Sequence, residues 1–190
     1  MHSYFYHTHP GNRPINQDAL YVDDKGVFIV CDGVASSQNA EMASEYIANG
    51  LGQLLAKKDE IDIRVIKSSL IEAEHGLQVL LKSHQLNASK TTLAMAVVQK
   101  NKLIIAHCGD SKVYVYRDQK PVFETKSHSY IEFLIDKGII SKKDVQNHPQ
   151  KNALTRFVDG INPAQLDFTE LEIYPNDLLL LCSDGVNEGI

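Results

Sequence analysis

The sequence predicts an α+β fold: a four-layer α/β/β/α sandwich of two mainly antiparallel sheets flanked by helices. Two observations carry that expectation. The runs Leu93–Val98 and Leu178–Leu181 are apolar at every position, the pattern of strands covered on both faces. The links between neighbouring strands are too short for parallel crossovers, so the pairing is largely antiparallel. An antiparallel sheet buried on both sides packs one face on a second sheet and the other under helices. The layers then run helix, sheet, sheet, helix. A doubly wound α/β fold is the weaker alternative, because strands and helices do not alternate one for one.

In chain order, Ala19–Val22 and Val27–Cys31 are β-prone runs joined by Asp23-Asp24-Lys25-Gly26, a hairpin signal. Ala43, Ile47, Leu51, Leu54 and Leu55 then recur at spacings of three and four, which places them on one helical face. Gly50 and Gly52 lower the propensity of that helix, while small residues permit close packing. A second helix carries Ile63, Ile66, Leu70, Ala73, Leu77 and Leu81 on its buried stripe. Asp59, Glu60 and Asp62 lie near its start, where the helix dipole favours negative charge.

The middle of the chain turns to strands: Thr91–Gln99, Leu103–Cys108 and Lys112–Arg117, the first two joined by a turn at Lys100-Asn101-Lys102. After a turn near Asp118–Lys120, Tyr130–Ile140 reads as helical and Ser141–Asn147 as a further short helix. Asp177–Cys182 is the last strand. With no repeat, low-complexity stretch or linker, residues 1–190 read as a single domain.

Bulk properties narrow the function. A net charge of -5 argues against a general nucleic-acid or anionic-membrane binder, since either partner rewards a basic face. No apolar run approaches bilayer length. The first fourteen residues have neither a basic nor an apolar signal region. Three widely spaced cysteines make no disulfide framework, which points to a reduced, cytoplasmic setting.

Three apolar strands end in the same chemistry. Val27–Cys31 runs into Asp32-Gly33, Leu103–Cys108 into Gly109-Asp110-Ser111, and Asp177–Ser183 into Asp184-Gly185. A fourth acid, Asp18, precedes the first strand. Glycine beside each acid lets the backbone turn sharply and approach a ligand closely. Carboxylates that converge repel, and protonation or cations must offset the repulsion. Hard divalent ions suit such all-oxygen donors. Any one Asp-Gly after a strand is more often only a turn; Asp159-Gly160 and Asp23-Asp24 are read that way.

The acids fall in a recognisable order. The motifs are Arg13-Pro14-Ile15-Asn16-Gln17-Asp18-Ala19, then Cys31-Asp32-Gly33 with Glu41-Met42-Ala43-Ser44. Thr91-Thr92-Leu93, Ala106-His107-Cys108-Gly109-Asp110-Ser111 and Ser183-Asp184-Gly185-Val186 follow. Together they resemble the protein phosphatase 2C family of bacterial-type serine/threonine phosphatases, over nearly the whole chain. The stretch from Ser127 through Gly138, His148 and Arg156 adds to the likeness.

The resemblance implies an α/β/β/α sandwich and a phosphorylated protein as substrate. It implies two divalent cations, Mn²⁺ or Mg²⁺, with a third in some members. Asp32 and Asp184 would ligate metal directly, with the Gly33 carbonyl as an uncharged donor and Asp18 acting through bound water. The cations would lower the pKa of a bridging water, giving a hydroxide for in-line attack on phosphorus. Arg13 would bind the phosphate through its forked guanidinium. Asp110 resembles the aspartate of the additional, looser cation; support of a neighbouring ligand is its equal alternative.

The chain departs from the family pattern at several points. Val34 stands where some members carry a histidine thought to act as general acid. Lys90 stands where a glycine usually precedes Thr91-Thr92. The resemblance also implies a further helix and a final strand pair with another aspartate ligand beyond Ile190, which makes the domain C-terminally incomplete relative to the family. These departures motivate an alternative: a catalytically weak or inactive phosphatase-fold binding module. A serine esterase built on Ser111 ranks below both. Metal binding by His7 and His9, and reactive roles for the three cysteines, are disfavoured against incidental and core positions. Oligomeric state is open.

Overall fold

The computed structural model describes residues 3–187. Met1, His2 and residues 188–190, which the single-domain expectation includes, lie outside the described residues.

The early hairpin forms as expected. β1 (Asp18–Val22) and β2 (Val27–Asp32) pair antiparallel around a turn in which Asp23 Oδ1 accepts from the amides of Lys25 and Val27. Helices α1 (Ala40–Ala56) and α2 (Ile63–Ser83) follow. Their apolar stripes are buried as the periodicity predicts: Ala43, Ile47, Leu51 and Leu55 on α1, and Ile66, Leu70, Ala73, Leu77 and Leu81 on α2. Asp62 caps α2 by accepting from Val65 N at 2.8 Å. Gly52 is required on α1, because a Cβ there would stand 2.3 Å from the Tyr21 ring.

Strands β3 (Leu93–Gln99), β4 (Lys102–Cys108), β5 (Lys112–Arg117), β6 (Lys120–Glu124), β7 (Asp167–Glu172) and β8 (Leu178–Cys182) complete two sheets. The larger has the order β1-β2-β3-β4-β7 and the smaller β6-β5-β8, with every pairing antiparallel. Alternation splits β3 and β4 between two cores. Leu93, Met95, Val97, Ile104 and Ala106 face α1 and α2. Ala94, Ala96, Val98, Leu103 and Ile105 meet Val113, Val115, Leu179 and Leu181 between the sheets. The fold is thus α+β, two face-to-face antiparallel sheets with a helical layer on the larger one. Among the described residues no helix is long and apolar enough to cross a membrane.

Several expectations need correction. Leu178–Leu181 is not covered on both faces: Leu179 and Leu181 point inward, while Leu178 is 63% and Leu180 39% exposed. β8 lies at an edge of the small sheet, and both long helices pack on the large one. The strand also begins one residue late, since Asp177 is held by Arg117 in a two-pronged ion pair. β6 and β7 were absent from the expected elements. Both are edge strands with solvent-facing charges, and β6 carries Pro121, so neither shows an apolar run. Helix α3 spans only Tyr130–Asp136 because Gly138, at φ +66, closes it by donating to Ile135 O. The turn that follows is a 3-10 helix, Lys142–Asn147, started by reciprocal bonds between Ser141 and Asp144.

Candidate active site

Sheet register decides which acids meet. Asp18 and Asp32 are direct partners in the β1–β2 ladder, so their side chains leave the same face. That face is the one turned toward the small sheet, since Phe28 on the same side of β2 packs into the inter-sheet core. Asp184 arrives from the small sheet, at the start of the short helix α4 (Asp184–Asn187) directly beyond β8. Its neighbour Ser183 donates to Asp18 Oδ2 at 2.8 Å. The mouth of the sandwich therefore holds Asp18, Asp32 and Asp184 together, all half-buried.

Their proximity is electrostatically costly. Burial pushes the Asp32 carboxyl far above the usual carboxylate range, and the charges of Asp18 and Asp184, both also within hydrogen-bonding influence, push it further. Asp32 interacts with each of the other two acids. No Lys or Arg forms an ion pair with them among the described residues.

The surrounding backbone is tied down. Asp32 N donates to Thr92 Oγ1, Thr92 N to Asp32 O, and Gly33 N to Gln17 O. Ser44 Oγ donates to the same Gln17 carbonyl at 2.6 Å, which anchors the approach to Asp18 onto α1. Gly33 admits no side chain: a Cβ would lie 2.6 Å from the Ala40 carbonyl oxygen. The segment containing Asp18, Asp32 and Gly33 is thereby wedged against the first turn of α1.

The other sequence candidates are placed differently. Arg13 is exposed and donates to Gln17 Oε1 at 2.8 Å, near the site yet not paired with any of its acids. Asp110 is half-buried on the rim beyond β4, and nothing places it among the causes that shift Asp32. Ser111 is 1% exposed, with its hydroxyl 2.7 Å from Thr92 Oγ1, so it is a buried prop and not a nucleophile. His7 and His9 are exposed and stacked on each other. Cys31, Cys108 and Cys182 are free and buried, with burial pushing each thiol up, Cys108 to about 12.

A second polar cluster has no counterpart in the sequence expectations. His107 and His128 stack with ring centroids 4.6 Å apart. His128 Nε2 lies 3.0 Å from Asp167 Oδ2, and Arg156 donates to Asp167 Oδ1 at 2.7 Å. His107, His128 and Asp167 bring ligand-type atoms within 4.8 Å of one another, beside an open cleft of about 390 Å³. Every one of these groups is already partnered: His107 Nε2 lies 2.8 Å from Lys126 O, and Gly109 N donates to His128 Nδ1. With Arg156 beside it the cluster serves as an ion-paired brace. Asp167 lies on the unrecognised strand β7, and its pairing with His107 follows only from the β4–β7 register.

Comparison with known proteins identifies the family and the fold. Residues 7–190 match the family described as protein phosphatase 2C. The serine/threonine phosphatase stp of Listeria welshimeri is 30% identical over 175 residues, which cover 88% of this chain and 69% of that protein. PstP of Mycobacterium tuberculosis is 28% identical over 187 residues, 94% of this chain and 35% of that protein. A crystal structure of the M. tuberculosis phosphatase superposes with a TM-score of 0.82 at 25% identity, covering 94% of this chain and 76% of that one. Another structure of the PstP catalytic domain, in complex with two manganese ions, gives a TM-score of 0.80. Matched by the family model over residues 7–190, the chain belongs to the protein phosphatase 2C family.

Proposed function

We propose that this chain hydrolyses phosphoserine and phosphothreonine monoesters of proteins at the Asp18–Asp32–Asp184 mouth, with two divalent cations, Mn²⁺ or Mg²⁺, as cofactors. The observation that carries the reading is Asp32. A half-buried carboxyl flanked by two others, without a basic partner among the described residues, is unfavourable as an anion unless cations neutralise the group. The donor set is all oxygen and includes the tightly packed Gly33 backbone, which fits a hard divalent ion.

Bound there, the cations would supply Lewis-acid activation of water and neutralise charge on the phosphoryl group. The chain's own residues do the positioning. Asp32 and Asp184 would ligate directly, with the Gly33 carbonyl beside them. Asp18, fixed by Ser183, would orient a water. Arg13 is exposed and unpaired with any acid among the described residues, so its fork remains available for two phosphate oxygens. Asp110 would hold an additional, looser cation at the rim.

In this reading residues 1–190 act as one unit in a reduced, cytoplasmic setting. The four-layer form of the family would place helices over the outer face of the small sheet, where Leu178 and Leu180 stand. The test is phosphate release from an aryl phosphate and from a phosphothreonine peptide, with Mn²⁺ and with chelator. Turnover should require the metal and vanish in Asp32→Asn and Asp184→Asn. Absence of turnover under Mn²⁺ and Mg²⁺ overturns the reading.

A further inference from the structure

The β2–β3 ladder does not stop at Asp32. Gly33 bridges Thr91, and Val34 N donates to Lys90 O at 2.9 Å, so Lys90 lies across from Val34 just as Thr92 lies across from Asp32. Residues two apart on extended chain share a face. Lys90 therefore leaves the ladder on the same side as Thr92 and Asp32, the side that carries the acids.

Its backbone is fixed as firmly as theirs. Lys90 N donates to Ser37 Oγ at 3.1 Å, and Ser89 Oγ donates to Asn39 O at 2.9 Å, which ties the segment to the loop after Gly33. The side chain is half-buried, and its ammonium sits 4.2 Å from the centroid of the Phe157 ring. That ring belongs to the segment whose Val158 pairs with Thr91 on the other side. The cation is thus parked on an aromatic face, and among the described residues it has no carboxylate partner. By contrast, Arg156, one residue before that ring, is already committed to Asp167.

Distance says what such a cation can read. Two residues of extended chain separate Lys90 from Thr92, about 7 Å along the ladder. The spacing matches the advance of two residues along an extended peptide, so a lysine held on the Phe157 ring is placed to meet the flank of a bound substrate. We infer that Lys90 is a specificity-determining residue: it selects phosphopeptides that carry an acidic side chain two or three positions from the phosphoserine or phosphothreonine. The protein bears a net charge of -5 and three acids at its centre, so an acidic peptide is otherwise repelled. One fixed, unpaired cation beside the mouth is where that repulsion can be offset.

The inference rests on the phosphatase reading, and one experiment separates the two. The Mn²⁺-loaded full chain, as wild type, Lys90→Gln and Lys90→Glu, is assayed on phosphothreonine peptides that differ only in Glu or Ala at the second and third flanking positions. The readout is the ratio of kcat/KM for the Glu peptide to that for the Ala peptide. In the wild type this ratio should be about fivefold at low salt, the size expected of an exposed ion pair, and shrink as salt is added. It should fall to unity or below in Lys90→Gln and lower still in Lys90→Glu. A purely structural role would slow both peptides alike and leave the ratio unchanged, which overturns the inference, as does a wild-type ratio of one. Wild-type turnover of an aryl phosphate in the same buffer shows whether the phosphatase reading itself stands. Failure there removes both.

Discussion

Ser183 Oγ, at the exit of the small sheet, donates a 2.8 Å hydrogen bond to Asp18 Oδ2, at the head of β1 in the large sheet. The two residues lie 165 positions apart in the chain. This bond joins the sheets at the end of the sandwich where the three acids gather, and it restrains the Asp18 side chain beside its charged neighbours. Where such a bond supports a metal site, its loss commonly costs about tenfold to a hundredfold in metal affinity or activity.

Ser183→Ala should therefore leave the fold intact and raise the Mn²⁺ concentration for half-maximal activity by about tenfold to a hundredfold. A metal titration of aryl phosphate turnover measures it. An unchanged half-activation concentration would mean that the bond is incidental.

Asp32→Asn separates two effects that usually travel together. In the metal-free protein the change removes a group whose ionisation burial and two acids oppose, so the melting temperature should hold or rise. Saturating Mn²⁺, at about a hundred times its Kd, would stabilise the wild type by about 2.7 kcal/mol. That gain should disappear in the variant. Thermal unfolding with and without Mn²⁺ gives all four values, and a metal-free variant clearly less stable than the wild type would contradict the electrostatic account.

Gly33→Ala tests the wedge against α1. A Cβ 2.6 Å from the Ala40 carbonyl oxygen forces either α1 or the Asp32–Gly33 turn to move. Overpacking of this kind costs about 1 to 3 kcal/mol, and here it also displaces a candidate ligand. Chemical denaturation should show the loss of stability, and turnover should fall by more than the unfolded fraction explains.

The stacked pair His107 and His128 predicts an acid limb of stability. Burial holds both imidazoles below the usual histidine value, despite the Lys126 carbonyl at His107 and the Asp167 hydrogen bond at His128, which pull the other way. Arg156 and Lys112 add repulsion to a proton on His128. A group with a depressed folded pKa contributes stability that is complete above its unfolded value, about 6.5, and is lost as pH falls through the folded one. Between pH 7.5 and 5.5 the melting temperature of the wild type should thus fall relative to that of His128→Gln, the opposite slope from the raised Asp32 carboxyl being common to both proteins. Equal slopes in the two proteins would remove the pair as its source.

Much of this architecture is legible without coordinates. The three-and-four spacing of Ala43 through Leu55 and of Ile63 through Leu81 specifies two helices and their buried faces, because the helical period alone decides which side chains share a side. The Asp23–Gly26 turn and the short Lys100–Lys102 link specify antiparallel hairpins. The strand-end acids Asp32, Asp110 and Asp184 stand out because each breaks an apolar run beside a glycine. What stays hidden has a common cause. β6 and β7 spend one face and one edge on solvent, so their polar sequences resemble loops, and Asp167 and the histidine brace go unseen with them. Leu178 and Leu180 mislead in the opposite direction, since apolarity reports what a residue prefers and not whether anything lies over it.

The chain's own order of residues thus determined the two long helices, the central strands, the hairpin partners and the candidate acids, all of which depend on near neighbours in sequence. Tertiary structure alone decided that Asp18 and Asp32 share one face, that Asp184 comes within reach of Asp32, and that Lys90 lies across the ladder from Val34. Such placements depend on register across a ladder and on the docking of two sheets. Local periodicity says which way a side chain points from its own strand, but it carries no information about which distant strand end will lie in front of it.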